Sequence, residues 1–426
     1  MAWPCEARAE AGPDAATPEG VNRPTPAIVS QEAVRRLPRL ALLLFCAAYV
    51  LPGLIGREPW KSLDMASLGY MLALARGESS WALPTLLGTP PELDGLLPYW
   101  LGALFIRLSP DVLPPFAAVR LPFVGLVVLT MAATWNAVYN LALSPKAQPV
   151  AFAFGGEASP KDYARALADA GLLALIATLG LAQPSHEITP MVVQLALLSL
   201  AFYGLAALPH HRGRAYLALA LSLLGLTLSG APSLALLLGG GGAMLCLRDT
   251  ELPHRLENTL WLIGLCLLSS AISLQADLWQ WRLRAPHANW GEWRSLLRLL
   301  LWFTWPAWPL ALWTVWRWRR QWWNRVLHRH LVLPLGLAVL TTACALATAS
   351  AERTLLLALP PLAALAAFAL PTLQRSVSAL IDWFTLLFFS GCALVIWVVW
   401  VAVQTGWPAQ PAANVARLLP GFSPSF

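Results

Sequence analysis

Long apolar runs, broken by short polar clusters, dominate the chain from residue 38 to residue 403. A helix that crosses a bilayer needs about 20 apolar residues, with about 17 as the lower end. Runs of this kind lie at 38–55, 117–143, 168–183, 190–208, 215–230, 231–247, 259–278, 296–316, 331–349, 354–371 and 377–403. The pattern therefore predicts about eleven transmembrane helices. The stretch 96–108 (LLPYWLGALFIRL) is equally apolar but shorter than a span. From Leu63 onward, Leu68, Met71, Leu72 and Ala75 recur at helical spacing, which predicts a short amphipathic helix lying on the membrane surface. The fold class expected is an all-α polytopic membrane protein with additional juxtamembrane helices.

Composition supports lipid as the solvent. Charged residues make up 12% of the chain, half the roughly 25% of a soluble domain, and mean hydropathy is +0.59. That excludes a soluble enzyme with an ordinary charged surface. Residues 1–37, rich in Pro, Ala and Glu and without apolar periodicity, read as a disordered cytoplasmic tail. Arg35, Arg36 and Arg39 directly precede the first span, as in an uncleaved signal anchor.

Charge placement sets the expected orientation. With the N-terminus in the cytoplasm and 96–108 not crossing, the cytoplasmic segments hold 18 of the 29 Lys and Arg residues. A crossing at 96–108 would invert every later loop and expose the five-arginine run 317–329 and the cluster 210–214 to the exterior, against the positive-inside rule. The stretch is therefore read as a re-entrant or interfacial helix on the outer side. The chain divides into the tail, a transmembrane domain at 38–403 with one large outer loop at 56–116, and a short outer tail at 404–426. A multi-pass protein of a bacterial inner membrane is expected. The net charge of +7 does not indicate nucleic acid, because the basic residues sit beside apolar runs.

Other features are read structurally. The six cysteines lack CxxC spacing and indicate neither a zinc site nor a disulfide framework. Gly239–Gly242 lacks the flanking elements of a phosphate loop and predicts close helix packing. Twelve tryptophans in 279–323 suggest an interfacial belt; Trp279, Trp281, Trp290 and Trp293 could alternatively offer an aromatic surface to a sugar or prenyl chain. His186 and Glu187 lie in a short outer turn, read as a plain polar turn with a metal or donor contact as the alternative.

Chemistry concentrates in the large outer loop. Arg57, Glu58, Lys61 and Asp64 fall within eight residues, and Glu92 and Asp94 form a second acidic pair. Carboxylates at a membrane interface can act as a general base, ligate a metal or pair with a basic residue; as plain solvated anchors they would do none of these. Arg120 and Arg353, at outer ends of spans, can clamp a phosphate bidentately or snorkel to the interface.

The stretch REPWKSLD, followed by PELDGLLPYWL, VRLPF at 119–123 and RTLLLALPP at 353–361, resembles the GT-C class of integral-membrane glycosyltransferases, the protein mannosyltransferase and aminoarabinose transferase relatives. The resemblance runs from about residue 40 to about residue 370, in the same order. It implies sugar transfer from a polyprenyl-phosphate donor to a glycan, lipid or protein acceptor at the outer face. On that basis Asp64 would be the base, with Glu58, Glu92 or Asp94 assisting or holding a divalent metal ion. Arg353, Arg120 and Lys61 would bind the donor phosphate. The chain departs from the family pattern in two places. Leu63 aligns with the usual catalytic acid unless a local shift brings Asp64 there, and Leu93-Asp94 stands where the family has Glu-Lys. A non-catalytic member, serving as a lipid-sugar binder, partner subunit or transport component, is the alternative.

Overall fold

The computed structural model describes residues 25–34, 37–51, 59, 61–91, 95–109, 113–279, 290–322, 327–348 and 351–418. Their regular structure is helical, and the β pairing among them is two isolated bridges, Ser30 with Glu157 and Leu86 with Thr89. The chain divides into two compact units, Met1–Ala369 and Leu370–Phe426. In the first unit the helices are α1 (Arg39–Val50), α2 (Ser62–Arg76), α3 (Leu97–Leu108), α4 (Pro115–Ala142), α5 (Pro160–Ala177), α6 (Leu179–Ala182), α7 (Pro190–Ala207), α8 (Arg212–Leu228) and α9 (Pro232–Arg248). They continue with α10 (Arg255–Gln275), α11 (Trp290–Phe303), α12 (Ala307–Arg317), α13 (Arg319–Trp322), α14 (Arg329–Leu346), α15 (Ala351–Thr354) and α16 (Leu359–Ala369). The second unit holds α17 (Arg375–Thr405) and α18 (Ala409–Leu418), which touch each other.

Six described segments are long and apolar enough to cross a membrane: α4, α7, α10, α14, Leu355–Thr372 and Ala379–Thr405. The pair α5 and α6, bent by 70°, adds a seventh if taken as one span. α1, α3 and α9 are apolar but shorter. The protein is thus a multi-pass, all-α membrane protein, although helix length alone does not reach the expected eleven.

One expected span is not a single helix. The run 296–316 breaks into α11 and α12 at Thr304–Pro306. Pro306 has no N–H to continue the ladder, and a helical proline ring collides with the carbonyl four residues back. α11 turns a half-buried face of Leu296, Leu299, Leu300 and Phe303 inward and leaves Trp290, Trp293 and Trp302 exposed. α12 instead packs along α16, where Thr314 Oγ1 donates to Leu365 O at 2.7 Å. A second difference concerns α5, which starts at Pro160 on a Ser159 N-cap rather than near 168. Asp169 therefore lies mid-helix, buried, where its Oδ1 accepts Trp135 Nε1–H at 2.8 Å. An isolated carboxylate in lipid would be costly; here α4 supplies its donor.

The glycine run packs as expected at two of its four positions. A Cβ on Gly239 would fall 2.3 Å from Cys266 Sγ, and one on Gly242 would fall 2.8 Å from Leu205. Gly240 and Gly241 face open space.

The contacts gather the loops into two sets at the two ends of the first unit. At one end Leu96 N–H donates to Leu228 O (2.7 Å), Gln194 Nε2 to Ser229 O (3.0 Å) and Leu179 N–H to Trp305 O (3.0 Å). The N-terminal flank of α3 lies here. At the other end Lys146 pairs with Glu251 (2.7 Å), Arg212 with Glu257, and His210 Nε2 contacts Asn140 O (3.1 Å). Within the stretch read as a tail, residues 25–34 are paired rather than loose. Val150 N–H donates to Ala27 O, Ala158 N–H to Val29 O, and Gln31 bonds Ser159 N–H and Asp162 through its side chain. This strap satisfies the polar backbone of a loop that has no helix or sheet partner of its own.

The same end holds a buried ion pair. Arg329 Nη1 donates to Asp249 Oδ2 at 3.1 Å and Nη2 to Leu205 O at 2.6 Å, with both side chains at least nine-tenths buried. Removing one partner of such a pair leaves an uncompensated charge. Asp249→Ala is expected to destabilise the protein by about 3 kcal/mol, measured as a lowered thermal midpoint in detergent; an unchanged midpoint would contradict the pairing.

Candidate functional site

α2 begins just after Lys61 and places Asp64 in its first turn, where the helix dipole favours an acid. Its buried face is Leu63, Asp64, Ser67, Tyr70, Met71 and Leu74. This is turned by about one residue from the stripe the sequence suggested, because α2 packs against both α3 and α4. The turn draws Asp64 inside: the side chain is 1% exposed. Gly102 on α3 permits the close approach, since a Cβ there would fall 2.3 Å from Met71 Sδ. Arg107 then closes the far end of α2, donating to Ala75 O (2.9 Å) and Leu74 O (3.2 Å).

Opposite α2 lies the segment from Gln183 to Thr189, a 3-10 turn at Pro184–His186 followed by an extended Glu187. It is held from two sides. From α2, Asp64 Oδ1 accepts the Ile188 N–H at 2.8 Å, and Lys61 Nζ pairs with Glu187 Oε1 at 3.1 Å. From α1, Tyr49 O lies 3.0 Å from His186 Nε2, and the Tyr49 hydroxyl lies 3.3 Å from Ser185 Oγ. His186 Nδ1 also contacts Ala182 O at 2.7 Å. A carboxylate accepting a buried backbone N–H is among the stronger neutral-to-charged hydrogen bonds.

Beside this turn is a small cavity with room for about one water molecule. Val50 of α1 and Phe123, Val124 and Val127 of α4 form its apolar wall; Arg120, Ser185, His186, Glu187 and Ile188 line the rest. Arg120 and Glu187 are both deeply buried, 3% and 7% exposed. Charged groups of opposite sign thus border one small, largely apolar space, where electrostatic interactions are stronger than in water.

Of the residues singled out in the sequence, the structure brings Lys61, Asp64 and Arg120 to this turn. Asp64 holds the turn but is not among the cavity-lining residues. Arg353 lies on α15, beside α11 and α14, and does not line the cavity. Glu58, Glu92 and Asp94 lie outside the described residues. Glu187 is the addition: read from sequence as part of a polar turn, it is the carboxylate that faces the cavity. A His-Glu pair between two spans was the available signal. A divalent metal does not fit what is described. Asp64 and Glu187 are engaged with Ile188 and Lys61, and no three metal-ligating side chains gather among the described residues.

No protein-family model matches the sequence, and no curated protein is found to match it. The structure is similar to the crystal structure of ArnT from Cupriavidus metallidurans in the apo state, with a TM-score of 0.55 and 12% sequence identity. The match covers 85% of this chain and 64% of that one, so the chain spans somewhat less than two thirds of ArnT. At this identity the likeness establishes a fold shared with ArnT.

If Asp64 fixes the turn, Asp64→Ala should speed hydrogen exchange across 183–189 by on the order of tenfold, the worth of one hydrogen bond to a charged group. Asp64→Asn, which keeps an acceptor oxygen, should change it less. Equal exchange in wild type and Asp64→Ala would rule out the role.

Proposed function

We propose that this protein is a membrane glycosyltransferase that moves a sugar from a polyprenyl-phosphate donor to an acceptor at the outer face of a bacterial inner membrane, with its N-terminus in the cytoplasm. The observation that carries the reading is the buried Arg120–Glu187 cavity at the end of an ArnT-like bundle, bordered on one side by an apolar wall. The first-loop resemblance to GT-C enzymes points the same way. A lipid-linked donor has two unlike parts, and the residues lining the cavity match the chemistry of both. Val50, Phe123, Val124 and Val127 suit a prenyl chain, while the Arg120 guanidinium suits phosphate oxygens.

Departure of the lipid phosphate builds negative charge on oxygen, and a fixed cation close to that oxygen lowers the barrier. Arg120 serves this step, with Lys61 beside it and Arg353 as a second candidate at the same end of the bundle. Acceptor activation falls to the carboxylates of this end: Asp64 and Glu187, with Glu58 and Asp94 in the same outer loop. The acceptor is a glycan, lipid or protein hydroxyl or amine.

A non-catalytic reading has one observation in its favour: buried Leu63 stands where the resemblance expects the acid. The two separate in one assay. Purified protein in liposomes, offered a panel of polyprenyl-phosphate sugars and envelope-derived acceptors, is expected to transfer sugar. Arg120→Gln should raise the donor KM by about tenfold or more, the loss of a charge-assisted contact. Absence of transfer by folded wild-type protein from every donor would overturn the enzymatic reading in favour of binding alone.

A further inference from the structure

Sugar transfer, if that reading holds, needs a carboxylate whose oxygen can reach the acceptor, and the described acids of this end are not equivalent. Asp64 is 1% exposed, its Oδ1 is engaged 2.8 Å from the Ile188 nitrogen, and it is not among the residues that line the cavity. Glu187 lines the cavity together with Arg120. The N–H that Asp64 holds belongs to the residue directly after Glu187, so the buried aspartate fixes the peptide that carries the glutamate. Lys61, 3.1 Å from Glu187 Oε1, restricts the side chain further and supplies a counter-charge. On the other side His186, anchored to Tyr49 O at 3.0 Å, fixes the residue before it. A group constrained in this way on three sides has the preorganisation expected of a base.

We propose that Glu187 is the catalytic base of this protein and that Asp64 is a positioning residue acting through it. The Glu187 carboxylate accepts the proton of the acceptor hydroxyl as that oxygen forms its bond to the anomeric carbon. The bond from the anomeric carbon to the phosphate oxygen breaks, and its electron pair leaves with the lipid phosphate beside Arg120. Glu187 then releases the proton to solvent.

The test assays Glu187→Gln, Glu187→Asp, Asp64→Asn and Asp64→Ala in liposomes with the panel of polyprenyl-phosphate sugars that wild type uses. Glu187→Gln is expected to lower kcat by about 100-fold or more, the usual worth of a general base, with donor KM changed less than about threefold and the acidic limb of the pH–rate profile abolished. Glu187→Asp should recover part of the rate. Asp64→Asn, still able to accept the Ile188 N–H, should keep at least about tenfold more kcat than Asp64→Ala, as a hydrogen-bonding role requires. The double variant Lys61→Met with Glu187→Gln removes both ionic partners and leaves no unpaired charge; recovery of transfer in it would show that Glu187 matters only as an ion-pair partner, and overturn the proposal. Wild-type rates in Glu187→Gln, or Asp64→Asn as inactive as Asp64→Ala, would overturn it equally. Absence of transfer by wild type from every donor would remove the sugar-transfer reading itself, and the base role with it.

Discussion

A carboxylate withdrawn from water must find its hydrogen-bond donors where it lies, and in this protein that requirement organises the candidate site. Asp64 sits on the inward face of α2 and takes the backbone N–H of Ile188. Because that donor belongs to a turn between α6 and α7, satisfying one side chain ties α2 to the segment that leads into α7. Lys61 and Glu187 repeat the connection one turn of chain away, and His186 carries it across to α1. The cavity lies against the structure these contacts build. Its shape depends on polar bonds, several of them made by residues that also line it.

The same rule governs the opposite end with a different outcome. Arg329 and Asp249 are also buried and meet each other directly, with Leu205 O accepting a second guanidinium N–H. That pair borders no described cavity, and its surroundings are packed helix ends. Scarcity of charge makes the contrast legible: Asp64, Asp169, Glu187 and the Asp249–Arg329 pair each have a named partner, and the difference between joining helices and lining a space shows in what lies beside them.

Much of the architecture was legible in the sequence because apolar run length and arginine placement report directly on a bilayer. Close packing at Gly239 and Gly242 followed from composition. The break at Thr304–Pro306 was missed because hydropathy averages across a proline that interrupts hydrogen bonding without reducing apolarity. The start of α5 was missed because Lys161, Asp162 and Arg165 put a polar stretch ahead of the apolar run, whereas Ser159 caps the helix at Pro160. Glu187 could not be ranked, since its value comes from Lys61 and Asp64, residues more than a hundred positions earlier. Those partnerships are tertiary, and no local pattern encodes them.

That separation has a consequence for how the chain matures. The strap at 25–34 waits for partners at 148–162, and Asp64 waits for Ile188; the bonded residues are 123 to 131 positions apart. Contacts so distant along the chain form late, after the intervening loops have closed. As the polypeptide emerges from the ribosome, α1 to α4 enter the membrane with both of their flanks unfinished. Synthesis of the stretch from about 150 to 190 then supplies the missing donors and acceptors at both ends. Assembly of the cavity and anchoring of the N-terminal flank are thereby set to the same interval of translation, and neither can be completed by the first four helices alone.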